Sequence, residues 1–205
     1  MRGLIKGLVC GAVLASTLGA TAQTKFPLRV DIQVSTKKSK ENIGAGKEGE
    51  AKAEKVQVRV RVKKTSSQAW EEPVTAELYV IGKQVHTGNY GIIDVQKGQF
   101  TFSKENDNTF EYESPMYTLG KTTGNINVGG EYETYLVVIS DHEGNILDTR
   151  SGRAIKEQGI EFIRKLGPKT MFDKEGNVIG ELENPGEAFK KSIPAAVHPG
   201  DDDDE

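Results

Sequence analysis

The chain has 205 residues, 36% of them hydrophobic, which is enough length and apolar content to bury one sizeable core. Its 27 basic and 30 acidic residues give a formal net charge of −3, so it carries no basic footprint for nucleic acid. One cysteine and three histidines, none at ligand spacing, exclude a disulfide framework and speak against a zinc site.

Arg2 and Lys6 precede an apolar run over 7–20 that ends in Ala20-Thr21-Ala22. A charged start, a short apolar stretch and small residues at the cleavage positions predict a signal peptide over 1–22, cut after Ala22. The run is too short for a transmembrane anchor, which needs about 20 apolar residues. The expected location is therefore secreted or periplasmic, with no membrane span in the mature chain. Cleavage would remove Cys10, the only cysteine, and leave a disulfide-free chain. It would also take the net charge to −5, matched by the five carboxylates of 201–205.

Strand patterns dominate from there on. In 28–34, Leu28, Val30, Ile32 and Val34 alternate with Arg29, Asp31 and Gln33. In 56–64, Val56, Val58, Val60 and Val62 alternate with Gln57, Arg59 and Arg61. Period-two alternation of branched residues is what a strand with one wet face requires. Between them, 37–55 is rich in Lys, Glu, Gly and Ala and is expected to be a mobile loop. Further strands are expected at 74–81, 91–95, 99–103, 109–113, 125–128, 132–140 and 146–150. Residues 132–140 are apolar on both faces, which predicts a strand central in its sheet.

These elements define an all-β fold, an antiparallel sandwich over 23–152. The order of "LRVDIQV", "VTAELYVIGK" and "NVGGEYETYLVVISD" followed by a closing hairpin resembles an immunoglobulin-like or fibronectin-like β-sandwich in outline. The cysteines that mark antibody domains are absent, and no residue pattern transfers a function. After Gly152, the segment 153–183 reads as a short helix within 153–168, stopped at Gly167-Pro168, followed by a small hairpin. Residues 184–205 read as a flexible acidic tail.

Two near-repeats, "DHEGNILD" from Asp141 and "DKEGNVIG" from Asp173, raise the possibility of calcium loops. Both fail the EF-hand pattern, because position 6 is Ile146 or Val178 rather than glycine. Tight hairpin turns account for the same residues, with Asp bonding its own backbone and Gly taking positive φ. No metal site and no cofactor is expected. No G-x-S-x-G elbow occurs and the mature chain has no thiol nucleophile, so no catalytic residues are assigned.

Among candidate binding residues, Trp70 in "SSQAWEEP" offers an aromatic platform for a sugar or protein, or else caps one end of the sandwich. Tyr112 and Tyr117 would widen that platform if the fold brought them to the same end. Arg59, Arg61 and Lys63 line one strand face and are expected to be a solvated, partly paired surface, with Asp31 as a cross-strand partner. The expected function is a non-catalytic envelope or secreted module that binds a protein or glycan partner or supports an assembly. The rival is a polysaccharide- or peptidoglycan-acting hydrolase with a carboxylate pair on the sandwich.

Overall fold

The computed structural model describes residues 27–42, 49–124, 129–152 and 159–181. The alternating valines of the first two strand segments do what their period demands. They form β1 (Leu28–Asn42) and β2 (Gly49–Lys64), an antiparallel hairpin in continuous register from Leu28↔Lys64 to Asn42↔Glu50. The expected loop at 37–55 is thereby corrected: its described residues, 37–42 and 49–55, are strand. The ladder needs only backbone groups, so a segment poor in apolar side chains can still pair.

β3 (Val74–Gln84) and β4 (Tyr90–Phe100) form the next hairpin, and 91–95 and 99–103, expected to be two strands, prove to be mainly one. β5 (Thr109–Glu113) and β6 (Tyr117–Gly124) both pair with β2, one behind the other. They share one edge because Pro115 interrupts the ladder between them. There Ser114 keeps contact with β2: its N–H donates to the Val58 carbonyl at 2.8 Å, and its hydroxyl accepts from the Val58 N–H at 3.0 Å. β7 (Gly130–Ser140) and β8 (Ile146–Ser151) make the third hairpin. The expected strand at 125–128 lies outside the described residues.

A short helix, α1 (Ile160–Arg164), occupies part of the stretch expected to be helical; 153–158 lie outside the described residues. β9 (Thr170–Phe172) and β10 (Val178–Glu181) form the small hairpin the sequence implies. The strands divide into two antiparallel sheets. One has β1, β2 and β5 in order, with β6 also on β2; the other runs β10-β9-β4-β3-β7-β8. The fold is an all-β sandwich.

The main core lies between the sheets. Val30, Val56, Val58, Val60 and Val62 meet Val74, Ala76, Leu78, Val80, Val137 and Ile139 there. A second cluster forms on the other face of the larger sheet. In it Tyr79, Ile81, Ile92, Leu136 and Val138 are covered by Ile163, Leu166 and Phe172. β7 therefore buries both faces and lies between β3 and β8, as its two-sided apolar pattern requires.

One acid lies under the helical cover. Glu77 is buried, accepts a hydrogen bond from the Tyr79 hydroxyl at 2.8 Å and lies 3.2 Å from Arg164 of α1 and 3.5 Å from Lys97. Burial by itself would raise its carboxyl, but the Tyr79 hydroxyl, Arg164 and Lys97 together hold it below the ordinary carboxylate range. The ion pair thus fixes the helix to the centre of the sheet.

Candidate functional site

Along the hairpin of β1 and β2 the inward residues change character. The rows Val30↔Val62, Ile32↔Val60 and Val34↔Val58 are apolar, and Thr36↔Val56 ends the run. The next two rows are Lys38↔Glu54↔Leu119 and Lys40↔Lys52↔Lys121, each completed by β6. The register therefore aligns three lysine positions across three adjacent strands. Like charges placed directly opposite one another cost stability, so such a row is not explained by sheet formation.

A groove of about 400 Å³ lies between the hairpin and the start of β7, lined by Lys38, Lys52, Glu54, Lys121 and Glu131 together with Leu119. Glu54, whose side chain is 13% exposed, lies 3.4 Å from the Lys38 ammonium and accepts the Tyr132 N–H at 3.3 Å. Glu131 forms a close ion pair with Lys121. β6 is joined to the segment just before β7 by a bridge between Lys121 and Gly129. Both carboxylates are thus committed to ammonium groups.

The aromatic residues singled out in the sequence sit elsewhere. Trp70, from the connection between β2 and β3, is half-buried and packs against the main core. Tyr112, in β5 opposite Val60, also packs there, in contact with Phe110. Its hydroxyl is buried without a hydrogen-bond partner among the described residues, and burial raises it above its ordinary range. Tyr117 opens β6 and donates its hydroxyl to Asp94 of β4 at 2.6 Å, linking the two sheets; burial, then that carboxylate, raises it too. The three are brought together only in that all pack against the same core.

The basic strand face is solvated and partly paired. Arg59 pairs with Glu113 and, at 3.5 Å, with Glu111, while Lys63 lies 3.2 Å from Asp107. The acids come from β5 and the turn before it; Asp31 pairs with Arg29 of its own strand at 2.9 Å instead.

Both acidic near-repeats are turns. Asp141 Oδ1 accepts the N–H groups of Glu143 and Asn145 at 3.0 and 2.8 Å, and Gly144 has φ +89°. Asp173 accepts from the N–H of Asn177 at 2.8 Å, and Gly176 has φ +88°. In each case the Asn side-chain amide, joined by backbone N–H groups, holds the carboxyl below its ordinary range. His142 Nδ1 lies 2.9 Å from the Glu72 carboxylate, His86 is exposed, and His198 lies outside the described residues. Among the described residues no three His, Cys, Asp or Glu side chains converge as a metal site would need, and no helix is long and apolar enough to cross a membrane.

The sequence hides the groove because its strands carry charge where the neighbouring rows carry valine. A signal was present: "AKAEK" keeps two-residue alternation in phase with "VQVRVRV".

No known protein family and no curated protein matches the chain. Among solved structures, it is similar to the X-ray structure of Northeast Structural Genomics Consortium target SoR45, at 9% identity over 62% of this chain and 86% of that one, with a TM-score of 0.23. A crystal structure from Akkermansia muciniphila shares 12% identity over 73% of this chain and 85% of that one, with a TM-score of 0.22. Overlap at that level carries no argument about fold or function.

Proposed function

We propose that the chain is a non-catalytic, secreted or periplasmic binding module that holds an anionic protein or glycan partner in the lysine-lined groove. The observation that carries this is the set of three lysines, Lys38, Lys52 and Lys121, that line one open groove. The signal-like N-terminus motivates the location. The strand order supports an immunoglobulin- or fibronectin-like sandwich: β1, β2 and β5 follow the A-B-E order of one sheet, and β4, β3, β7 and β8 the C′-C-F-G order of the other. Such sandwiches serve many functions, so the groove, and not the fold, bears the functional weight.

Glu54 and Glu131, two carboxylates in one groove, give the hydrolase alternative a specific footing. Each is already neutralised by a lysine, which favours binding over acid–base work. The test is capture from a cell-envelope extract and from a panel of acidic glycans by the chain and by its Lys121→Glu variant, with circular dichroism confirming that the variant folds. A partner kept by the former and lost by the latter is the expected result. Equal capture by both rejects the groove, and polysaccharide cleavage abolished by Glu54→Gln rejects the non-catalytic assignment.

A further inference from the structure

β1 is the outermost strand of its sheet, paired on one side with β2 along its whole length. Its first half is approached by the neighbouring sheet, where the Arg150 guanidinium donates to the Val30 carbonyl at 3.4 Å. Its second half, from Ser35 onward, is different. Ser35, Thr36, Lys37, Lys38 and Ser39 are all exposed, and no strand among the described residues pairs with that side. An unpaired edge presents N–H and C=O groups ready to accept another strand.

We propose that this edge takes an extended acidic segment of a protein partner as an added strand, the mode of recognition in which backbone bonds give affinity and alternate side chains give selectivity. Charge decides the occupant. Lys37 lies opposite Lys55 on the outer face, and Lys38 and Lys52 line the groove on the inner face. An added acidic strand meets ammonium groups on both faces. A second copy of the same edge would set lysine against lysine, which is the usual protection against self-pairing. The inference rests on the groove reading only for the inward side chains; the edge itself is independent of it.

The experiment is binding of a decapeptide of alternating Glu and Thr to the full chain, measured by calorimetry at low and high salt. The controls are an alternating Lys and Thr peptide, a Glu and Thr peptide N-methylated at every second amide, and an acidic galacturonate oligomer. Binding of the acidic peptide should weaken with salt. It should weaken at least about tenfold on N-methylation and about tenfold in a folded Lys37→Glu, Lys38→Glu variant. The lysine peptide should not bind. Equal affinity for the N-methylated peptide would overturn the proposal, because charge without strand pairing would then suffice. So would binding of the galacturonate alone, binding of no probe, or a concentration-dependent dimer that excludes the peptide. If the peptide fails while a Lys121-dependent partner is still captured, the edge proposal falls and the groove stands. The reverse result removes the groove and leaves the edge.

Discussion

The hairpin of β1 and β2 is one continuous ladder with two different inner faces. From Val30↔Val62 to Thr36↔Val56 it faces the larger sheet, and Val30, Val56, Val58, Val60 and Val62 are buried there. At Lys38, Glu54 and Lys52 it borders the groove beside the start of β7, and these inward positions carry charge. Backbone pairing continues unchanged across the boundary. Strand length is therefore set by the ladder, whereas side-chain polarity is set by whether a second layer covers the face.

The strongest way to break that comparison is to exchange the two kinds of residue. Val60 is fully buried between the sheets. Val60→Lys would place an ammonium there with no partner and should cost at least ~4 kcal/mol, enough to abolish a cooperative thermal transition. A folded Val60→Lys protein with a near-native melt would show that the two halves of the hairpin are covered alike.

A second contrast is between the two layers over the larger sheet. The buried residues of the main core between the sheets are apolar, but the cover made by α1 also depends on Glu77 and Arg164. Arg164→Met should destabilise the fold by about 1–3 kcal/mol, less than the loss of a sealed pair because Lys97 still faces the carboxylate. Glu77→Gln combined with Arg164→Met should recover part of the loss in a double-mutant cycle. The pH dependence follows from the lowered Glu77 carboxyl. Its stabilisation is complete above the ordinary glutamate value of about 4.3 and is lost as pH falls through the lower folded value. Amide exchange of 160–166 should accelerate in that acid range, ahead of β3 and β7, and simultaneous acceleration everywhere would argue against a separately held cover.

These contrasts explain what the sequence could and could not reveal. The valine alternation in β1 and β2, the two-sided β7 and both Asp-led turns were legible because each rests on local chemistry. The strand character of 37–42 and 49–55 was not, since alternation rules follow apolar residues and the covering layer ends there. β6 was hidden by Pro115, which looks like a strand terminator although Ser114 bonds across the gap. Glu77 was hidden for another reason: its partner, Arg164, lies 87 residues away, and nothing in "VTAELYV" marks the acid as buried. The groove combined both difficulties, because Lys38, Lys52, Lys121 and Glu131 come from four strands and none is apolar.

Ser114 offers a smaller test within the first sheet. Ser114→Ala removes the acceptor for the Val58 N–H while leaving the backbone bond to Val58 in place, and should cost about 1 kcal/mol. A cost well above that would mean the interruption at Pro115 is held by the side chain rather than by the ladder on either side.

The smallest effect is the most informative about the two faces. Lys52→Val puts a valine at an inward position of β2 four residues before Val56, where no sheet covers it. It removes one of three aligned lysine positions, a gain, and exposes a branched apolar side chain, a small loss. The two should nearly cancel, within about 0.5 kcal/mol of the unsubstituted chain by denaturant titration. Binding of an acidic ligand in the groove should fall by contrast, since the substitution leaves Glu54 and Glu131 with one lysine fewer. Unchanged stability with weakened binding would separate the two halves of the hairpin cleanly: valine is required where the layer closes, and lysine is retained beyond it for a partner. A stability loss as large as that of a buried substitution would instead mean that the lysine row serves the fold.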